Sequence, residues 1–222
     1  MGVGKTVVAA ALMHRYRPEL RMRYWKPIQT GIEQDDDTAV VRTLGECIQD
    51  EILDQGVRLK RAVSPHLAAR LSGKKVTVAA IYATLSRQPD QKVSWLVEGA
   101  GGALVPINES EQMIDLAWKL SLPVLVVATT RLGTINHTLL TLEALRRRAL
   151  VVAGVVMVGD RDSHNRDAIE HYGAVKVLGE MPPFSELRSG SIKQWAADEL
   201  DQQGDLRDHL QLAHHARPQL ML

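Results

Sequence analysis

Five residues near the start of the chain, Gly2-Val3-Gly4-Lys5-Thr6, have the types and spacing of the second half of a phosphate-binding loop. In the full motif, G-x-x-x-x-G-K-S/T, backbone N–H groups surround phosphate oxygens, the lysine neutralises them and the hydroxyl coordinates Mg²⁺. The apolar run from Val7 to Met13 predicts a helix directly after the loop, and the free N–H groups of a helix start also favour anions. A bare Gly-Lys-Thr occurs by chance in loops, so the motif needs support from other residues.

A carboxylate at the end of a predicted strand supplies such support. The apolar run from Val93 to Val97 leads into Glu98, and Gly99-Ala100-Gly101-Gly102 follows. Three glycines in four positions indicate positive φ angles or a close approach of the backbone to a ligand. Proteins that transfer phosphoryl groups place an acidic residue at such a strand end, near Mg²⁺. The alternative is a tight turn with an incidental glutamate.

Lys26 follows a second predicted strand, Met22 to Trp25, and Pro27 makes a helical continuation unfavourable. Ligands of open α/β sheets gather beyond the carboxyl ends of the strands, so Lys26, Gln29 and Thr30 are expected at the edge that holds the phosphate loop. The alternative for Lys26 is a solvated charge at a strand end.

Three consecutive aspartates, Asp35, Asp36 and Asp37, precede a predicted helix from Thr38 to Leu44. An acidic residue at a helix start is ordinary capping, worth about 1 kcal/mol. One of the three could instead hold Mg²⁺, which takes oxygen ligands and only one or two protein carboxylates. The residues themselves do not distinguish the three.

The remaining elements predict an α/β fold with a doubly wound, mostly parallel sheet, because short apolar runs alternate with helical patterns. A helix is predicted from Thr134 to Arg148, and its first N–H groups, at Thr134, Ile135 and Asn136, could bind an anion. Alternatively, Thr134 is an ordinary cap. Further strands are predicted at 122–128, 150–158 and 174–178, and helices follow from Ser189.

Composition narrows the classes of function. The chain has 222 residues, of which 45% are hydrophobic, and this predicts a single domain over residues 1–222. A formal net charge of +1 argues against nucleic acid as a bulk electrostatic partner. One cysteine, no signal peptide and no long apolar run predict a cytoplasmic protein without a membrane anchor. His214 and His215 are adjacent, which is not the spacing of a helical metal site, and are expected in solvent.

The motifs together resemble the dethiobiotin synthetase family over nearly the whole chain. The most specific part is the combination of a Lys-Pro-x-x-Thr-Gly segment with a Leu-Gly-Thr-Ile-Asn-His segment. The resembling segments are Val3-Gly4-Lys5-Thr6, Trp25 to Gly31, Ser64-Pro65-His66, Val97 to Gly102, Leu132 to His137 and Gly179-Glu180-Met181-Pro182. The resemblance implies a P-loop NTPase-like fold.

That family forms dethiobiotin from 7,8-diaminopelargonate, CO₂ and ATP with Mg²⁺, through a carbamate and a carbamic-phosphoric anhydride. The resemblance implies that Lys5 and Lys26 are catalytic and that Thr6, Asp37 and Glu98 hold the metal. It also implies substrate contacts at Thr30, Ile135 and Asn136, the last two across a homodimer interface. The nucleotide would contact Gly2, Val3, Gly4, Lys5, Thr6, Val7, Asp37, Glu98, Gly99, Ala100, Gly101, Pro182, Pro183 and Phe184.

Two departures from the family pattern bear on these expectations. The family's first strand and the first half of its loop should precede Gly2, so we expect the native chain to begin upstream of Met1. A chain without that strand should have an unpaired buried sheet edge. The family often reads adenine with an Asn-Asp pair where this chain has Val158-Gly159-Asp160, so the base preference stays open.

Two other functions remain as alternatives. A partition-type P-loop ATPase acts as a switch with protein partners and would need neither Lys26-Pro27 nor the helix start at Thr134. A nucleotide-binding scaffold would bind ATP without catalysis. Dependence of ATP turnover on 7,8-diaminopelargonate separates the ligase from the switch, and the absence of any turnover even in a chain extended upstream of Met1 would favour the scaffold.

Overall fold

Helices and strands alternate along the chain, as the sequence predicts. The computed structural model describes residues 2–89, 93–212 and 219–221, so His214 and His215 lie outside the described residues. The helices are α1 Lys5–Tyr16, α2 Asp37–Leu44, α3 Pro65–Leu71, α4 Val78–Ser86, α5 Met113–Leu120, α6 Thr134–Arg147, α7 Ser163–Gly173, α8 Ser189–Asp198 and α9 Asp205–Leu212. The strands are β1 Met22–Trp25, β2 Ile28–Thr30, β3 Ile52–Leu53, β4 Val57–Leu59, β5 Ser94–Val97, β6 Val124–Thr129, β7 Val152–Val158, β8 Val177–Met181 and β9 Gln219–Met221.

Seven of the strands form one sheet in the order β3-β1-β5-β9-β6-β7-β8, and all of its neighbouring pairs are parallel. Strands β2 and β4 form a separate parallel pair. Parallel neighbours require crossover connections, and helices supply them here. The predicted doubly wound α/β fold is therefore confirmed.

Each face of the seven-stranded sheet has its own hydrophobic core. Helices α1, α2, α8 and α9 pack on one face, against alternate strand residues such as Tyr24 and Leu96. The other face packs α3 to α7 against residues of opposite parity, such as Trp25 and Val97. Because side chains alternate across a strand, residues two apart on β1 and β5 share a face.

Helix α1 is buried along most of its length and lies in the core of its face. Every residue from Val8 to His14 is buried, as is Tyr16. Such burial on all sides explains why its sequence is nearly continuous in apolar residues rather than striped. The helix is thereby held firmly with its first turn at the carboxyl edge of the sheet.

The strand β9 departs from the sequence-based expectations. Residues after Ser189 are predicted to be helical, which is right for α8 and α9, but Gln219–Met221 form a strand. The sequence also predicts an unpaired edge in the sheet, and this is wrong because β9 lies between β5 and β6. It pairs in parallel with both, through the partners Val97↔Met221 and Val124↔Met221.

Within the described ranges, no helix combines the length and the apolar character that crossing a membrane would need.

Candidate active site

Lys26 and Glu98 meet because their strands are parallel neighbours in register. Trp25 on β1 is paired with Val97 on β5, so the next residue of each strand emerges at the same point of the carboxyl edge. The Lys26 Nζ atom lies 2.8 Å from Glu98 Oε1 and donates to the Gly99 carbonyl at 3.2 Å. Lys26 is only 4% exposed and Glu98 1%. The two charges are thus removed from water and paired with each other.

Asp37 is the aspartate that reaches this pair. Its Oδ2 atom lies 2.7 Å from Lys26 Nζ, whereas Asp36 caps α2 by accepting from the N–H groups of Thr38 and Ala39. The Asp35 side chain is exposed. The three consecutive aspartates therefore differ in role: Asp36 is the helix cap, and Asp37, in the first turn of α2, faces the site.

Thr6 joins the two carboxylates from the start of α1. Its hydroxyl lies 3.0 Å from Asp37 Oδ1 and 3.0 Å from Glu98 Oε1. The preceding Gly4 caps α1 with a φ of 97°, a left-handed conformation that glycine adopts freely. A Cβ at Gly4 would also come within 3.0 Å of the Val158 side chain. Glycine is thus required both for the turn of the loop and for its packing on β7.

The two lysines of the site lie near each other. Burial and the nearby Lys26 charge lower the pKa of Lys5, while Glu98 and Asp37 act in the opposite direction. Burial alone would lower the pKa of Lys26 too, but Glu98 and Asp37 outweigh it and the pKa is raised. Repulsion from the Lys26 charge is one cause of the lowered pKa of Lys5. A bound anion such as a phosphate would relieve that repulsion.

The glycine-rich turn borders the same site. Gly99 and Ala100 are buried, and the Gly99 carbonyl accepts from Lys26. Gly101 has a φ of 79°, and a Cβ there would come within 2.8 Å of Val105. The positive φ that the glycine pattern predicts is present. At the phosphate loop, Gly2 is exposed and Val3 is partly buried, while Val7, in the first turn of α1, packs against the core of that face.

The remaining predicted residues lie at other positions around the sheet. Pro182, Pro183 and Phe184 directly follow β8, and Phe184 packs against the core that contains α1. Thr30 ends β2 and is partly exposed. None of these residues shares a hydrogen bond with the cluster formed by Thr6, Lys26, Asp37 and Glu98 within the described part of the chain.

The start of α6 carries Ile135 and Asn136. Gly133 is the cap residue, with a φ of 93°, so Thr134 is the first helical residue rather than the cap. The Thr134 hydroxyl donates instead to the carbonyl of Thr129 at the end of β6. Ile135 is partly buried and Asn136 is exposed. The helix start is therefore anchored to the sheet through Thr134, and Asn136 is exposed in its first turn.

Tyr24 is a site residue that the sequence analysis missed. Its hydroxyl donates to Glu98 Oε2 at 2.8 Å, and the residue is fully buried. Burial and the Glu98 charge raise the pKa of the phenol well above its ordinary value. The spacing of the two residues could have identified Tyr24. It precedes Lys26 by two residues, so the two side chains are expected on the same face of the sheet. A tyrosine in an apolar strand nevertheless resembles an ordinary core residue.

The cluster has the donor chemistry of a magnesium site. One hydroxyl and two carboxylates converge, and all three are hard oxygen ligands. Among residues 2–89, 93–212 and 219–221, no group of three or more His, Cys, Asp or Glu side chains is arranged to hold a metal. Mg²⁺ usually takes only one or two carboxylates together with water and substrate phosphates, so this smaller set fits it.

A parallel sheet with a Gly-Lys-Thr helix start and acidic residues at its carboxyl edge defines a nucleotide-binding protein of the phosphate-loop class. The family model described as "AAA domain" matches residues 1–191. The chain is 43% identical over 193 residues to the ATP-dependent dethiobiotin synthetase of Agrobacterium fabrum, covering 87% of each chain. It is 44% identical over 190 residues to that of Paramagnetospirillum magneticum, covering 86% of this chain and 87% of the relative.

The enzyme of the same name from Brucella ovis is 39% identical over 186 residues, or 84% of each chain. The chain therefore belongs to the ATP-dependent dethiobiotin synthetase family, and the resemblance inferred from its motifs is confirmed.

Proposed function

We propose that this chain is an ATP-dependent ligase that closes the ureido ring of dethiobiotin from 7,8-diaminopelargonate and CO₂, in biotin biosynthesis. The observation that carries the proposal is the buried Lys26 ammonium group, held between Asp37 and Glu98 at the end of β1. It lies beside a Gly-Lys-Thr helix start in a chain whose relatives carry this activity in their names.

The chemistry needs three bond-forming steps. One substrate amine attacks CO₂ and loses a proton, which gives a carbamate. A carbamate oxygen then attacks the γ-phosphorus of ATP, and ADP leaves. The second amine attacks the carbonyl carbon of this mixed anhydride, phosphate leaves and the nitrogen loses a proton. Negative charge moves from the carbamate to the departing phosphates, and catalysis consists mainly of positioning and charge stabilisation.

The two lysines have separate tasks in this proposal. Lys5, at the start of α1, binds the β- and γ-phosphate oxygens together with the N–H groups of the loop from Gly2 to Val7. Lys26 bridges the carbamate and the γ-phosphate, where its charge stabilises the oxygens between which negative charge is transferred. Its buried position strengthens that interaction because little water screens it.

Thr6, Asp37 and Glu98 would hold Mg²⁺, directly or through water. When bound, Mg²⁺ neutralises phosphate charge and orients the phosphate chain. The chain's own contribution is to hold the three oxygen donors together at the end of β5 and the starts of α1 and α2. Gly99, Ala100 and Gly101 line the site without side chains large enough to block the phosphates.

The outer parts of the site recognise the nucleotide base and the substrate 7,8-diaminopelargonate. The segment Pro182, Pro183 and Phe184 borders the nucleotide base, and Thr30 contacts the substrate through its hydroxyl. The N–H groups of Ile135 and Asn136 bind the substrate's carboxylate, because the first turn of a helix favours anions. Residues 1–222 act as a single cytoplasmic domain in this proposal.

A homodimer would bring the first turn of α6 to the partner's active site. Exposed apolar side chains close to this turn along the chain support such an interface, since Leu132 is fully exposed and Leu140, on α6, is 55% exposed. Exposed apolar patches mark interaction sites in soluble proteins. The substrate carboxylate would then be held across the interface.

We expect the substitution Leu132→Asp to convert the dimer into monomers and to lower kcat/KM at least tenfold, because it places a carboxylate in the interface beside the bound substrate's own. Analytical ultracentrifugation and ADP release measure the two effects. Leu71→Asp, at another exposed leucine, serves as the matched control and should change neither. A wild-type monomer, or a dimeric Leu132→Asp variant, would contradict the proposed interface.

The function itself is tested by ADP release and by mass spectrometry of the product, with Mg²⁺ and ATP present. We expect ADP and dethiobiotin in equal amounts, and only when 7,8-diaminopelargonate and bicarbonate are both added. ADP release that is independent of these substrates would overturn the proposal in favour of a switch ATPase. Nucleotide binding without any turnover would favour a scaffold.

A further inference from the structure

The two oxygens of the Glu98 carboxylate have different partners. Oε1 lies 2.8 Å from Lys26 Nζ and 3.0 Å from the Thr6 hydroxyl. Oε2 accepts the hydroxyl of Tyr24 at 2.8 Å. One oxygen therefore faces the residues proposed for the phosphates and the metal, while the other is tied to the interior of the sheet.

The pairing of β1 with β5 brings Tyr24 within hydrogen-bonding distance of Glu98. Tyr24 is paired with Leu96 on β5, and both belong to the core on the α1 face. Glu98 follows Leu96 by two residues and so projects to that same face. The tyrosine hydroxyl thus reaches the carboxylate from within the core and contacts the oxygen that Lys26 does not.

Burial makes this hydrogen bond more than incidental. Tyr24 is fully buried and Glu98 is 1% exposed, so water cannot replace the tyrosine as a donor to Oε2. A buried carboxylate oxygen without a donor is unfavourable, and the group would turn to share its remaining donors. Because burial and Glu98 raise the pKa of Tyr24, its hydroxyl keeps its proton throughout the neutral range.

We propose that Tyr24 is a positioning residue, which holds the Glu98 carboxylate so that Oε1 stays directed at Thr6 and at a divalent cation bound with the nucleotide. The inference rests on the proposed function for the identity of the nucleotide site. Residues that orient a metal ligand through a hydrogen bond commonly change metal affinity by about 10- to 100-fold when they are replaced.

The test is the substitution Tyr24→Phe, which removes the hydroxyl and little else. Mn²⁺ serves as the probe, and its binding to the protein with a non-hydrolysable ATP analogue is followed by electron paramagnetic resonance. We expect the Mn²⁺ dissociation constant to rise about tenfold. In turnover assays, the Mg²⁺ concentration needed for half-maximal rate should rise similarly, while the KM for 7,8-diaminopelargonate stays unchanged.

Tyr16 offers a matched control. It is also a buried tyrosine whose hydroxyl donates to a buried carboxylate, Asp201, at 2.6 Å. It lies ten residues beyond Thr6 on α1, about 15 Å away at the rise of a helix. Tyr16→Phe should therefore leave Mn²⁺ affinity unchanged. Wild-type affinity in Tyr24→Phe, or equal losses in both variants, would overturn the proposal.

The double variant Glu98→Gln/Tyr24→Phe keeps the proposal testable if Tyr24→Phe alone does not fold. In a Glu98→Gln background the buried charge is absent, so removing the tyrosine hydroxyl should change Mn²⁺ affinity less than twofold. A tenfold change there would show an effect that does not pass through Glu98 and would overturn the proposal. Because Mn²⁺ binding needs no 7,8-diaminopelargonate, this outcome is independent of whether the proposed ligase reaction occurs.

Discussion

Replacing Lys26 with methionine is expected to lower kcat/KM for dethiobiotin formation by about 10³-fold, the size of effect seen when a preorganised charge-stabilising donor is removed. The loss should lie in kcat, since Lys26 is proposed to stabilise charge that develops during phosphoryl transfer. Methionine retains most of the length of the side chain and an apolar stem, without the charge. Steady-state ADP release at saturating ATP and Mg²⁺ measures the change.

The same substitution should destabilise the fold, because it leaves two carboxylates without their shared cation. Glu98 is almost fully buried and Asp37 is partly buried, and breaking a buried ion pair costs about 3 kcal/mol. The double variant Lys26→Met/Glu98→Gln removes one carboxylate charge as well and should recover part of that stability without recovering activity. Urea denaturation measures the stability of each variant, and ADP release measures its activity.

Lys60 is the matched control for Lys26. It is an exposed lysine that pairs with Glu33 at 3.6 Å, with 74% of its side chain accessible. Exposed pairs contribute little, so Lys60→Met should change neither activity nor the urea midpoint. A Lys26→Met variant that keeps more than a tenth of wild-type kcat would contradict the catalytic assignment.

The second large effect is expected in β9, where Met221→Pro should lower the free energy of unfolding by about 3 kcal/mol or more. The N–H group of Met221 donates to the carbonyl of Pro123 at 2.9 Å, and proline has no such group. Met221 is 3% exposed and lies between β5 and β6 in the middle of the sheet. A proline at position 221 would interrupt the hydrogen-bond ladder of a central strand, where proline is not tolerated.

Met221→Leu is the control for this prediction, because it keeps the N–H group and nearly the same apolar volume. Such a swap usually costs less than about 1.5 kcal/mol. The urea midpoint of each variant, followed by far-ultraviolet circular dichroism, gives the comparison. Equal midpoints for Met221→Pro and Met221→Leu would mean that β9 does not contribute to the stability of the sheet.

Most of the strands of the large sheet were predictable from local pattern. The strand predicted from Met22 to Trp25 is β1 with the same bounds, and the run before Glu98 is β5. β5 is buried along its whole length and β1 at three of its four residues, so both have the mostly apolar sequence that distinguishes such strands from turns. The last predicted strand, 174–178, lies three residues before the observed bounds of β8, Val177–Met181. Short apolar runs define the presence of a strand better than its ends.

β9 could not be predicted in this way. Its three residues, Gln219–Met221, are too few for a periodic pattern, and their pairing with β5 and β6 joins segments more than ninety residues apart. The energy that makes them a strand comes from hydrogen bonds and burial between two existing strands. That contribution exists only after the rest of the sheet has formed.

The sequence by itself determined the class of fold, the phosphate loop and the candidates Lys26, Glu98 and the run of three aspartates from Asp35 to Asp37, because each lies beside a recognisable strand end or helix start. Only the tertiary structure decided which aspartate reaches Lys26, that Thr6 joins both carboxylates, and that Tyr24 donates to Glu98. The physical reason is register. Local propensity specifies where a strand ends, whereas the pairing of β1 with β5 and the packing of α1 and α2 decide which side chains meet there.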